Sequence, residues 1–137
     1  MTEKELKAVE SFFDGRPGAL RLFRKVSRFI QTLGSVEMIA RKTQLGFRHG
    51  RMFAWVWLPQ MWIRSQPQQS ITLAFMLDRR RVHKRIKESV EPYPGRFMHH
   101  VVIERASDFD GLVKGWLRDA HSQAGEPGRR RPRKPTR

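Results

Sequence analysis

The sequence predicts an α+β domain of about five mainly antiparallel strands packed against helices on one face, in the order ααββββ(α)βα. Three observations carry this expectation. Apolar residues recur at helical spacing as far as Leu33, the period changes to two from Val36, and helical spacing returns after Ser107.

Thr2 and Glu5 form a capping-box pattern ahead of Leu6, Val9 and Phe12, which predicts a first helix broken by DGRPG at residues 14–18. Leu20, Phe23, Val26, Phe29, Ile30 and Leu33 then fall on one face of a second helix. Arg21, Arg24, Lys25 and Arg28 lie largely on its other side, and Gly34 supplies a stop.

Val36, Met38 and Ala40 alternate with Glu37 and Arg41 as a first strand. Thr43, Leu45 and Phe47 alternate with Gln44, Gly46 and Arg48 as a second, so Lys42, Gln44 and Arg48 are expected to project together. After a turn at HGR (49–51), Met52–Leu58 and Ile71–Leu77 are apolar on both faces. Phe53, Trp55 and Trp57 share a face by alternation. That face is expected to be core opposite the helices, although base stacking is the functional alternative. The reverse face carries Met52, Ala54, Val56 and Leu58, with Ala74 and Met76 beside them. Left without a helix, it should bury itself in a dimer or bind something apolar.

Residues 79–90 are ambiguous, with Val82, Ile86 and Val90 spaced for a short helix. EPYPG (91–95) reads as a turn, because each proline restricts the residue before it. Phe97–Glu104 alternates as a last strand, and Ser107 is expected to open a final helix burying Phe109, Leu112, Val113, Trp116 and Leu117. The adjacent histidines 99 and 100 must point to opposite faces of that strand, so they cannot share a metal ion. His99 falls among core residues, and His100 is the better functional candidate.

One domain over residues 1–124 is expected, followed by a disordered basic tail at 125–137 that contains Arg129, Arg130, Arg131 and Arg133. The formal net charge is +15, a field that attracts polyanions without specifying which. Cysteine is absent, which removes disulfides and thiolate metal sites and is compatible with a cytoplasmic protein. No run approaches the ~20 apolar residues of a membrane-spanning helix. Glycine-rich phosphate loops, GxSxG and HExxH are missing, so neither a cofactor nor a metal is expected.

The runs KTQLGF (42–47), FAWVWLP (53–59), RIKESVEPYPGRFMHHVVI (85–103) and SDFDGLVKGWLRDA (107–120) resemble an uncharacterised bacterial domain-of-unknown-function family. Some of its members carry the label "predicted transport protein". The resemblance extends from about Phe12 to Ala120, and EPYPGRxxHH is its most specific part. It implies an α+β fold and a common surface at Lys42, Thr43, Gln44, Arg85, Lys87, Glu91, Tyr93, Arg96, His99 and His100. It implies no activity.

The favoured expectation is a non-enzymatic module that binds the phosphate backbone of nucleic acid. Its body contacts would be Lys42, Gln44, Arg48, Arg79, Arg80, Arg81, Lys84, Arg85, Lys87 and Arg96, with the tail arginines adding to them. A homodimeric interaction module joined through the sheet face is the first alternative. The second is an enzyme in which His100 and Glu91 perform acid–base work while Arg96 orients an anionic substrate. That reading requires the three side chains to converge on one pocket.

Overall fold

The computed structural model describes residues 2–59 and 69–125. Among these residues three helices, α1 (Glu3–Phe12), α2 (Pro17–Gln31) and α3 (Gly111–Ala124), pack on one face of a six-stranded antiparallel sheet. The strands are β1 (Glu37–Ala40), β2 (Leu45–His49), β3 (Arg51–Trp57), β4 (Ile71–Leu77), β5 (Glu88–Tyr93) and β6 (Arg96–Ile103), in spatial order β1-β2-β3-β4-β6-β5. The α+β class agrees with the sequence reading, with six strands in place of about five. The tail arginines and most of the loop at 66–70 lie outside the described residues.

Local chemistry explains the helix ends. Thr2 accepts from the Glu5 N–H while Glu5 accepts from the Thr2 N–H, closing the expected capping box. Pro17 starts α2, where its missing N–H costs nothing. The expected cap at Ser107 is a correction. Asp108 accepts from the N–H groups of Glu104 and Arg105 and closes a short 3-10 turn, and α3 begins only after Asp110 accepts from the Val113 N–H. A carboxylate outcompetes a hydroxyl for these donors.

The segment after β4 is the second correction. It forms no helix, and Val82 stands 90% exposed. Residues from Glu88 instead pair with β6, placing Glu88 opposite His100 and Val90 opposite Met98. The first half of EPYPG therefore completes β5, and only Pro94–Gly95 turns, with Gly95 at φ +77°.

The third correction is in β3. Phe47 pairs with Ala54 and Arg48 with Met52, so Phe53 is one extra residue on its strand. This bulge breaks the expected alternation. Phe53 and Ala54 both join the helix-side core, whereas Trp55 joins Met52 and Trp57 on the other face. Val56 also belongs to the helix side.

The helix-side core is aromatic: Phe23 stacks near Phe47 at 6.1 Å between ring centroids, and Phe75 lies between Trp116 at 5.5 Å and His99 at 5.3 Å. Among the described residues the opposite face carries no helix, and it holds a smaller cluster of Trp55, Ala74 and Met76, packed with Met52, Trp57 and Met98. Among the described residues no helix is long and apolar enough to cross a membrane.

Candidate functional site

The loop from Arg79 to Lys87 carries six of the expected phosphate-contacting cations. Much of it is instead fastened to the domain. The Arg81 N–H donates to Nε2 of fully buried His99 at 2.8 Å, and the Arg85 N–H donates to Nδ1 of His83 at 3.0 Å. His83 sets its ring edge-on to Trp116, and the Lys87 N–H donates to the His100 carbonyl at 2.7 Å. Arg85 reaches back to α3, bonding Asp110 Oδ2 at 3.1 Å and the Asp108 carbonyl. Arg81 pairs with Asp119 at 3.4 Å, and the Arg80 guanidinium lies 5.4 Å above the Phe97 ring. Arg79, Lys84 and Lys87 form no ion pair among the described residues and remain exposed.

On the helix-free face Gln44 accepts a hydrogen bond from the Trp57 indole at 2.9 Å, and Trp57 stacks on His100 with centroids 5.3 Å apart. Arg48 pairs with Glu37 across β1 and β2, while Lys42 is exposed in the turn joining those strands. His100 Nδ1 lies 3.3 Å from the Glu88 carbonyl. Glu91 accepts from the Gly95 N–H at 3.0 Å, which fixes the β5–β6 tip. Arg96 lines a cavity at that tip, and neither His100 nor Glu91 lines it with Arg96. The three residues of the enzymatic alternative therefore share no described cavity.

The geometry brings together a different set of cations. Arg21, Lys25 and Arg28 recur at positions i, i+4 and i+7 and form one outward row of α2. Lys114 of α3 faces this row across a cleft of about 570 Å³ that also contains Thr32 and is floored by Phe29 and Phe109. Those two rings meet edge-to-face at 5.7 Å. The Lys114 ammonium sits 5.7 Å over Phe29 and 5.6 Å over Phe109, and the Arg118 guanidinium lies 5.7 Å over Phe29. No acidic residue lines the cleft, and none of these five cations forms an ion pair among the described residues. The row on α2 was legible in the sequence as the polar side of an amphipathic helix. The partner lysine was not, because it lies across a tertiary contact.

Titration follows burial here. Burial holds His99 below its ordinary pKa, with the charges of Arg80 and Arg81 adding and the Phe75 and Phe97 backbone opposing. Burial and the neighbouring His49 ring likewise lower His121, which stacks on His49 at 3.9 Å. Asp110 resists its own burial and still titrates below the usual carboxylate range, because the Val113 N–H and Arg85 favour its charge. Among the described residues no group of three His, Asp or Glu side chains is placed to hold a metal ion.

An antiparallel sheet whose described helices all lie on one side defines the class of this α+β domain. The chain belongs to the family described as Domain of unknown function (DUF5655), whose model matches residues 9–124. No curated protein and no solved structure matches it.

Proposed function

We propose that this domain is a non-enzymatic module that binds nucleic acid through its phosphate backbone, with the α2–α3 cleft as the organised centre of contact. The observation that carries the reading is the convergence of Arg21, Lys25, Arg28 and Lys114 on one cleft that no acid among the described residues lines. Cations on the loop after β4 are partly neutralised by Asp110 and Asp119, whereas these four have no ion pair among the described residues. Phe29 and Phe109 limit the freedom of Lys114 and leave its charge intact, so less entropy is lost when a phosphate arrives.

Lys42, Arg79, Lys84 and Lys87 extend the positive field over the body, and the net charge of +15 includes the arginines at 129–133. Such contacts position a strand and carry no base information, so sequence preference is slight. Anisotropy titrations of labelled duplex and single-stranded DNA and RNA test the proposal, using the parent chain and a variant with Arg21, Lys25, Arg28 and Lys114 changed to Gln. Losing four phosphate contacts weakens binding at least about tenfold at moderate salt. Changing Arg79, Lys84 and Lys87 to Gln has the smaller effect. Equal binding by the cleft variant and the parent, both folded by circular dichroism, overturns the proposal.

A further inference from the structure

Arg118 differs from the four cations that line the α2–α3 cleft. It lies one turn beyond Lys114 on α3, outside the lining, and the residue is exposed. Its guanidinium is held 5.7 Å over the Phe29 ring. Among the described residues it forms no ion pair, and the neighbouring Asp119 pairs with Arg81 instead. Phe29 is itself fixed, half-buried and edge-to-face with buried Phe109 at 5.7 Å. A planar cation is thus carried on a rigid aromatic base at the edge of the cleft.

The two cations over Phe29 can do different things. The Lys114 ammonium is a compact point charge suited to a phosphate. A guanidinium is flat and weakly hydrated, and a nucleobase stacks on its plane much as it stacks on an aromatic ring. The rings beneath are not open to a base, because Phe109 is 2% exposed and Lys114 sits over both. Phe53 and Trp55, the strand aromatics with the sequence pattern of a stacking platform, are buried as well. Lys114 and Arg118 are four residues apart, about 6 Å along the helix axis, roughly the repeat of one nucleotide in an extended strand.

We infer that the cleft holds a single strand, its phosphates on Arg21, Lys25, Arg28 and Lys114 and one unpaired base stacked on the Arg118 guanidinium. This rests on the nucleic-acid reading and narrows it from any phosphate backbone to strands whose bases are free. In a duplex the bases are stacked on one another, and only phosphates reach the cleft. Every base has a face to stack, so sequence preference stays slight.

The probes are a labelled oligothymidylate, an abasic oligomer with the same number of phosphates, and a duplex, titrated by anisotropy into the full chain and into Arg118→Lys. The abasic strand keeps every charge and offers nothing to stack, while lysine keeps the charge of Arg118 and loses its plane. The parent should bind oligothymidylate about tenfold tighter than the abasic strand. Arg118→Lys should reduce that ratio to about two or less, chiefly by weakening oligothymidylate binding. The exposed position of Arg118 keeps the variant folded, which circular dichroism checks. Equal binding of the two strands by the parent, a preference that survives Arg118→Lys, or binding of the duplex alone overturns this inference and leaves the phosphate-backbone reading standing. Binding of none of the three probes overturns both.

Discussion

The backbone N–H of Arg81 donates to Nε2 of His99 at 2.8 Å, and this bond joins the basic loop after β4 to the centre of the core. A ring that accepts at Nε2 carries its proton at Nδ1 and is neutral. The imidazole is fully buried and stacked at 5.3 Å on Phe75, so a charge there is cut off from solvent.

Stability is therefore expected to fall as the pH drops below about 6.5. The unfolded chain takes up a proton on His99 near its ordinary value while the folded chain resists it, so the contribution is complete above that value. It is lost through the window down to the lowered folded pKa. His121 is lowered as well and acts in the same direction. Urea midpoints at about pH 7.5 and 5.5 measure the effect, and His99→Phe should flatten it. At the higher pH the same variant costs about 1–3 kcal/mol, because the Arg81 N–H is left without its acceptor. A midpoint that does not move with pH contradicts the assignment.

Arg85 should behave as a structural residue. Its guanidinium ties the loop to Asp110 at 3.1 Å and to the Asp108 carbonyl at the start of α3. Arg85→Ala is expected to lower stability by about 1–2 kcal/mol, whereas Lys84→Ala, on an exposed unpaired neighbour, changes it by less than about 0.5 kcal/mol. Equal unfolding midpoints for the two variants would show that the anchoring contacts carry no stability.

The bulge in β3 separates two aromatic residues that strict alternation places on one face. Phe53 is fully buried and meets His121 edge-on at 5.4 Å. Its change to Ala is expected to cost about 3–5 kcal/mol. Trp57→Ala removes a half-buried ring, its stack on His100 and its bond to Gln44, a loss of about 1–2 kcal/mol. Thermal unfolding of the two variants gives the order, and a larger loss at Trp57 would place the core on the wrong side of the sheet.

Elements whose periodicity faces one environment were legible in the sequence. The stripe from Leu20 to Leu33 and the run Ile71–Leu77 are instances, and β4 has the bounds that its apolar run sets. The failures share a cause: a polar group or an extra residue chosen by tertiary contact. Val82, Ile86 and Val90 have helical spacing, but Arg81, His83 and Arg85 are committed to partners elsewhere, and the loop follows them. Phe53 has strand spacing, yet the bulge against Phe47 and Arg48 is a property of the pairing. At Ser107 the hydroxyl lost to two nearby carboxylates. The candidate site was half legible in the same sense. Arg21, Lys25 and Arg28 form a visible row, while the rings that place Lys114 opposite them come together only in the fold.

The most direct test of the central claim is the salt dependence of nucleic-acid binding by a chain ending at Gly125, measured beside the full chain and the cleft variant. Phosphate neutralisation gives a log–log slope of about −0.9 per contact on duplex DNA. The shortened chain should still bind at low salt, with a shallower slope than the full chain because the arginines at 129–133 are gone. Changing Arg21, Lys25, Arg28 and Lys114 to Gln in that shortened chain should flatten the slope by up to a further ~3.6 units. A folded shortened chain that shows no binding at low salt, or a slope the cleft substitutions leave unchanged, contradicts the account.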